Sequence, residues 1–349
     1  MLRGDRFPKV CRNHDGGRRA MNVSLRSQAG LVHSRILGIG TYRPRRVVRN
    51  AELCRTIKST PEWIEERSGI RERRFAAEDE TLLTMASAAA RASLAATDVA
   101  ASEVDYLVVA SMSNMLQTPP LSVLVCHEIG ARRAAGIDVS GACAGFCHAV
   151  AIASDAVRTG NATNAIVIGV ERMTDIVDPE DRTVSVLFGD GAGAVLIGRS
   201  TAVGVGPVVR RADGAHASAL RMSGYWGEPD VRPWMQMDGR DVFRWAVKNV
   251  VPACSNAVRA AGLALSDIDV FVPHQANLRM IETMTKRLGL RSDATIARDV
   301  INAGNTSAAS IPLALDALRT ESLTRAGDIA LLVGFGAGMN YAAQVVIVP

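Results

Sequence analysis

Aromatic residues make up only 4% of the 349-residue chain, with four Trp, four Tyr and seven Phe. The core therefore has to be built from Ala, Val, Leu and Ile, which suits buried strands flanked by small-residue helices. None of the six cysteines (Cys11, Cys54, Cys126, Cys143, Cys147 and Cys254) forms a C-x-x-C pair, so neither a zinc site nor a thioredoxin-like motif is indicated. A chain of this size needs no disulfides for stability and nothing points to export, so reduced thiols and a cytoplasmic location are expected. No run approaches the ~18–20 apolar residues of a membrane span. Charge of one sign is in excess only at the start. Residues 1–30 hold seven of the 40 basic residues and two of the 35 acidic ones; the remaining 33 of each sign balance. That tail has no hydrophobic periodicity and no apolar stretch fit for a signal-peptide core. It reads as a disordered leader, with Met21 as an alternative start, rather than as a nucleic-acid arm. Patterns for metals, nicotinamide or nucleic acid are likewise missing.

What is present is a repeat. Residues 102–108 read SEVDYLV and residues 266–272 read SDIDVFV, each a buried strand after an Ala-rich helical stretch. Residues 188–198 (FGDGAGAVLIG) and 333–345 (VGFGAGMNYAAQV) are Gly-rich turns feeding apolar strands. Between them, IDVSGACAGFCHAV at 137–150 matches RDVINAGNTSAASI at 298–311: an Asp-Val strand end, a cluster of small residues, then a helix. Three anchors in the same order predict two βαβαβ-type halves, 31–203 and 204–349, packed back to back, with mainly parallel sheets and helices on their faces. The clusters GDGAG and GFGAG run into strands instead of opening helices, so they are not dinucleotide fingerprints.

Cys143 follows the strand IDVS in GACAGF, at the start of a helix that runs to about Arg158 with Gly160 as terminator. A free Cys is usually a small core residue. At a helix N-terminus, however, backbone N–H groups and the dipole favour the thiolate, which predicts easier ionisation than the usual ~8.5. Gly141, Ala142, Ala144 and Gly145 leave room for a substrate carbonyl. His148, five residues on, lies about 140° round the helix and cannot serve Cys143 from the same face. The partners must come from elsewhere. His274 ends the strand DVFVPHQAN, at the carboxyl edge where parallel α/β sheets bind ligands. Asn305, in AGNTSAAS, lies in the second half's counterpart of the Cys143 turn. Singly, one reads as a helix-start histidine and the other as a cap. At matched positions of a duplicated fold, the three read as one site. A thiolate can hold an acyl group as a thioester. An imidazole N–H and a carboxamide NH₂ can stabilise the enolate left by decarboxylation of a malonyl thioester.

In these residues the chain resembles β-ketoacyl-acyl carrier protein synthase III, of the thiolase superfamily, over about residues 33–349. GACAGF, DRTVSVLFGDGAGA, VPHQANLR, GNTSAAS and GFGAG occur in order. The resemblance implies a homodimeric α/β enzyme of thiolase-like fold, in αβαβα layers. It implies a decarboxylative Claisen condensation of an acyl-CoA starter with malonyl-acyl carrier protein, giving a 3-oxoacyl-carrier protein, with no cofactor beyond the coenzyme A thioester used as substrate. Cys143 would be the nucleophile and His274 with Asn305 the decarboxylation pair. The backbone N–H groups of Cys143 and Ala337 would form the oxyanion hole; many relatives have Gly at the latter position, and since only the amide is used, Ala should serve. Coenzyme A would be held by Trp63, Arg67, Arg182 and Asn277, a stacked indole with flanking guanidinium groups. Thr118, with Phe335, would bound the acyl pocket at the dimer contact, and so small a residue as Thr118 predicts a starter longer than acetyl. Arg244, Arg279, Lys286 and Arg287 would dock the acidic carrier protein. QTPPLSV, ERMTDIVDP and MDGRDVFRWAV bring the chain nearest to the priming ketosynthases of bacterial aromatic polyketide pathways, although fatty-acid initiators share most of these features.

Other readings fit less well. A biosynthetic thiolase needs a second Cys near the carboxyl end, and none follows Cys254. A plant-type chalcone synthase is longer and carries GFGPG. An acyltransferase without condensation has less use for His274 and Asn305. A non-catalytic synthase partner has no need of the intact Cys-His-Asn set.

Overall fold

The computed structural model describes residues 32–225 and 232–349. The basic leader read from residues 1–30 lies outside them. Along the chain come β1 (His33–Tyr42), then β2 (Arg46–Arg49) and β3 (Glu72–Phe75) enclosing α1 (Asn50–Leu53) and α2 (Pro61–Ser68). They are followed by α3 (Leu82–Ala95), β4 (Tyr106–Ala110), α4 (Leu121–Ile129), β5 (Ala135–Val139), α5 (Gly145–Arg158), β6 (Asn164–Glu171) and β7 (Gly191–Ser200). Next are β8 (Val209–Ala212), β9 (Leu220–Met222), β10 (Met235–Met237), α6 (Gly239–Ala260), β11 (Val270–Pro273) and α7 (Leu278–Leu288). The last are β12 (Thr295–Ile296), α8 (Val300–Ala303), α9 (Ser310–Thr320), β13 (Ile329–Gly336) and β14 (Asn340–Ile347).

Two five-stranded sheets repeat one topology. The first has the order β1-β7-β6-β4-β5 and the second β8-β14-β13-β11-β12. In both, the strand next to one edge pairs in parallel with its two neighbours (β4 with β5 and β6; β11 with β12 and β13), and the remaining pairs are antiparallel. The sheets are thus mixed, not mainly parallel. The sequence expectation failed here because β6–β7 and β13–β14 follow one another antiparallel, without a crossover helix. The strands are near-continuous apolar runs, as burial on both faces demands: VVA in β4, IVIGV in β6 and ALLVGFG in β13 are all buried.

Helices α5 and α9 form the middle layer. Phe146, Val150 and Val157 of α5 and Ile311, Leu315 and Leu318 of α9 share one core with Val167 and Val195 of the first sheet and Val272 and Leu332 of the second. Helices α3 and α4 cover the outer face of the first sheet, and α6 and α7 that of the second. The result is five layers, αβαβα. Matched glycines allow the halves to meet. A Cβ on Gly169 of β6 would lie 2.3 Å from the Ala308 carbonyl oxygen, and one on Gly334 of β13 would lie 3.0 Å from that of Cys143. Each half's central strand therefore leaves space for the other half's strand-to-helix turn.

One detail of the repeat reads differently in the structure. Asp299-Val300 is not a strand end: β12 stops at Ile296, and Val300 opens the one-turn helix α8. Asp299 is instead ion-paired with Arg43 at 3.0 Å, a partner far away in sequence.

Candidate active site

Strand β5 leads through Gly141 into a tight turn at 142–144 and then into α5. Ala142 adopts the left-handed conformation, φ +46°. Its equivalent before α9, Ser307, does the same at φ +48°. For non-glycine residues this costs on the order of 1–2 kcal/mol each, a strain that collects at functional turns. By this geometry the counterpart of Cys143 is Ala308, and Asn305 precedes it. The turns match as expected, but the residues within them are offset.

Only the first turn is open. Strands β6 and β13 have equal length and end at equivalent residues, Glu171 and Gly336. A Cβ on Gly336 would lie 2.8 Å from the Cβ of Cys143 and 3.1 Å from its Sγ, so glycine keeps that space free. In the second half the same place is filled by the fully buried Glu171 carboxylate. It accepts hydrogen bonds from the Met112 and Ser113 amides, the Ser111 and Ser113 hydroxyls and, at 3.4 Å, the Ala308 amide. The amide equivalent to that of Cys143 is thus already occupied.

Cys143 is only 4% exposed. Burial pushes its thiol up to about 12, reinforced by the nearby Glu171 charge and only partly opposed by the neighbouring Ser307 hydroxyl. This corrects the expectation of a low pKa: loss of water outweighs the helix terminus. At rest Cys143 is therefore a thiol.

The two partners are held with their donors free. The Asn305 backbone is fixed by its amide donating to the Leu187 carbonyl at 2.8 Å and its carbonyl accepting from Gly189 at 3.0 Å. Its Oδ1 accepts the Ser307 amide at 2.9 Å, which leaves the Nδ2 hydrogens for the cavity. The His274 amide donates to the Val333 carbonyl at 2.7 Å, and its ring meets Phe335 edge-on with centroids 5.2 Å apart. Its Nδ1 lies 2.7 Å from Ser310 Oγ, which also accepts the Gln275 amide at 3.3 Å. The Gln275 amide can only donate, so Nδ1 is the one acceptor found for the Ser310 hydroxyl proton among the described residues, and Nε2 then carries the ring hydrogen. Burial lowers the His274 pKa to about 3, so the ring stays neutral. Ser310→Ala should release this tautomer and slow condensation by about 10–100-fold, the usual cost of losing an outer hydrogen-bond partner. Acyl loading onto Cys143, measured by intact mass, should stay within about twofold; equal loss of both would show mere damage to the fold.

Cys143, His274, Asn305 and Phe335 line one cavity of about 220 Å³, and Trp63, Arg67 and Asn277 line it too. Asn277 doubles as the cap of α7, its Oδ1 accepting the Met280 amide at 2.9 Å. The guanidinium carbons of Arg67 and Arg182 lie 5.9 and 5.6 Å from the Trp63 ring centre. Ala337 directly follows the lining residue Gly336. Thr118 is exposed in the single chain and does not line the cavity, whereas Met112, earlier in the same loop, does. Arg244, Arg279, Lys286 and Arg287 are all exposed on α6 and α7. Arg244 and Arg287 border a surface groove of about 580 Å³ together with Lys248, which sequence reading missed although it lies one turn beyond Arg244. Ser307 and Ser310 were missed as well; their only sequence signal was membership of GNTSAAS.

Comparison with known proteins identifies the family. Residues 137–221 match the family model 3-Oxoacyl-[acyl-carrier-protein (ACP)] synthase III, and residues 258–348 match its C-terminal counterpart. A beta-ketoacyl-[acyl-carrier-protein] synthase III of Streptomyces lividans is 51% identical over 90% of this chain and 95% of its own length. A mycobacterial beta-ketoacyl-[acyl-carrier-protein] synthase III of Mycobacterium marinum is 43% identical over 94% of this chain and 99% of its own. Among solved structures, the priming beta-ketosynthase of the R1128 polyketide biosynthetic pathway superimposes with a TM-score of 0.92 at 49% identity, covering 94% of this chain and 99% of that one. Fold and relatives define the class, an acyltransferase of thiolase-like fold. Within that class, the chain belongs to the β-ketoacyl-[acyl-carrier-protein] synthase III family.

Proposed function

We propose that the cavity first loads an acyl group from coenzyme A onto Cys143 and then condenses it with malonyl-acyl carrier protein. The observation that carries this reading is the buried convergence of one thiol with two neutral donors of fixed orientation. In the first step Cys143 Sγ attacks the acyl-CoA carbonyl, and the coenzyme A thiol leaves with the proton. In the second, the malonyl thioester loses CO₂, and the enolate oxygen is held by His274 Nε2–H and Asn305 Nδ2–H. The enolate carbon attacks the acyl carbonyl. The tetrahedral oxyanion rests on the Cys143 and Ala337 amides and collapses by expelling the Cys143 thiolate. Incubation with acetyl-, propionyl-, isobutyryl- and hexanoyl-CoA, followed by intact mass, tests the loading step. No adduct from any thioester on folded, reduced protein would overturn it. A chain that loads but never condenses with malonyl-carrier protein would instead be a simple acyltransferase.

The indole of Trp63 with two guanidinium groups near it supports the reading of an adenine site, and the basic residues around the α6–α7 groove support a dock for an acidic carrier. The two substrates should therefore respond to different variants. Trp63→Ala should raise KM for acyl-CoA by about tenfold, in line with a cation–π contact of ~1–2 kcal/mol, and leave the carrier KM unchanged. Arg287→Glu should do the reverse, with an effect that shrinks as salt rises. A single variant moving both KM values alike would refute separate sites.

A homodimer is part of the same reading. Among the described residues, β5 pairs only with β4, so one edge of the first sheet is free. Val123 of α4, which packs on β5 at Gly136, is 45% exposed, and Met115 and Leu116 in the loop before α4 are 43% and 57% exposed. Apolar residues beside an open edge need cover, and a second copy would bring Thr118 to its partner's acyl pocket. Light scattering at micromolar concentration should give the mass of two chains; a single-chain mass would sink this proposal. The described cysteines are all free thiols, which fits a reducing compartment such as the cytoplasm. No helix among the described residues is long and apolar enough to cross a membrane. Leaving the starter pocket open at Thr118 suits a priming role with an acyl group longer than acetyl. We take residues 31–203 and 204–349 as the two halves of the synthase.

A further inference from the structure

We propose that His148 and Asn340 are positioning residues that hold the Ala337 amide in place for thioester chemistry at Cys143. The inference rests on the reading above that Ala337 supplies one of the oxyanion donors. Ala337 sits in the short turn between β13 and β14, where Gly336 is paired across the ladder with Asn340. Backbone bonds between Met339 and Asp213 fix one side of this turn, and the Ala337 side is left for side chains to hold. Asn340 does so: its Nδ2 donates to the Ala337 carbonyl. A carbonyl can only accept, which assigns the Asn340 amide and turns its Oδ1 away from the turn. There it lies 3.2 Å from His148 Nε2. Since Oδ1 also only accepts, His148 Nε2 carries a hydrogen and donates it. His148 is on α5, the helix that Cys143 opens. The bond therefore ties the two pieces of backbone that bear the two oxyanion amides, the start of α5 and the β13–β14 turn.

A second link runs parallel to the first. Four residues on, and so on the same face of β14, Gln344 donates to the Cys147 carbonyl of α5 at 3.3 Å. Strand β14 thus grips the helix at two successive points, and the one nearer the cavity reaches the catalytic turn. This also gives His148 an employment that its helical position, facing away from Cys143, otherwise leaves open. Burial lowers its pKa against the hydrogen bond it donates to Asn340, with Arg210 nearby also lowering it. The neutral Nε2–H tautomer and the cation both donate at Nε2, so the link itself survives a change of charge.

The test separates the two half-reactions. An oxyanion donor serves acyl loading and the attack on the acyl thioester, whereas malonyl decarboxylation relies on His274 and Asn305. His148→Phe and Asn340→Ala should each slow acylation of Cys143 by about 10–100-fold. In a Cys143→Ala background, the same changes should leave malonyl-carrier decarboxylation within about twofold. His148→Gln, which places an amide N–H near the position of Nε2, should recover most of the acylation rate. Unchanged acylation in His148→Phe, or equal loss of both half-reactions, would overturn the inference. Ala337→Pro, which removes the amide hydrogen itself, tests the underlying reading. If it acylates normally, the oxyanion assignment is wrong; if it fails while His148→Phe does not, only the positioning role is wrong. Should Ala337→Pro not fold, the split between half-reactions in the His148 and Asn340 variants still decides.

Discussion

Cys143→Ala should lower acyl loading by about 10⁴-fold or more, the scale of loss when a covalent nucleophile is deleted, so that no acyl adduct appears by intact mass. Malonyl-carrier decarboxylation should survive, because its donors do not touch the thiol proton. The buried thiol adds a sharper expectation. With its pKa pushed up to about 12, the thiolate fraction rises tenfold per pH unit throughout the range below that value. The rate of Cys143 alkylation by iodoacetamide should therefore climb tenfold per unit from pH 7 to 10 without levelling off. A plateau near ~8.5 or below would mean that the N-terminus of α5 prevails over burial, as the sequence alone suggested. Survival of the acyl adduct in Cys143→Ala would dispose of the nucleophile assignment itself.

His274→Ala and Asn305→Ala should each slow condensation by about 10²–10³-fold, the usual loss for one donor to a developing oxyanion, while acyl loading persists. Asn305→Asp is the more informative change. It keeps the Oδ acceptor for the Ser307 amide but replaces the donors that face the cavity with a charge that repels an enolate. The pH profile carries a second check. A histidine lowered to about 3 is neutral at every pH above that, and it is lost as a neutral donor only on strong acidification. Condensation should consequently show no acid limb near ~6.5 between pH 5 and 9. Such a limb, absent in His274→Ala, would show that the imidazolium forms in the working enzyme and that the neutral-donor mechanism is wrong.

Much of this was legible in the chain. The last three residues of the paired motifs SEVDYLV and SDIDVFV open β4 and β11, matched strands next to the edge of two sheets with one topology. The helix after Cys143 runs to Arg158 as its small apolar residues imply. His274 stands directly after β11, where the apolar run and Pro273 placed it. Local pattern suffices for these features because strand and helix periodicity act over a few residues. It failed where the outcome depends on remote neighbours. The antiparallel pairs β6–β7 and β13–β14 made the sheets mixed, and Asp299 left the strand pattern for an ion pair with Arg43.

The sequence by itself determined the duplication and the family motifs, and it singled out Cys143, His274 and Asn305 within them. Only the tertiary structure decided which of two matching turns is open, since that depends on Gly336 beside Cys143 and Glu171 beside Ala308, each brought in by a strand of the other half. It alone decided the protonation of the site as well. Whether a thiol or an imidazole is charged depends on how much water its neighbours exclude, and which hydrogen it presents depends on the partner it meets. For Cys143, His274 and Asn305 those neighbours are Glu171, Ser310 and Ser307, and no motif spacing states their distances.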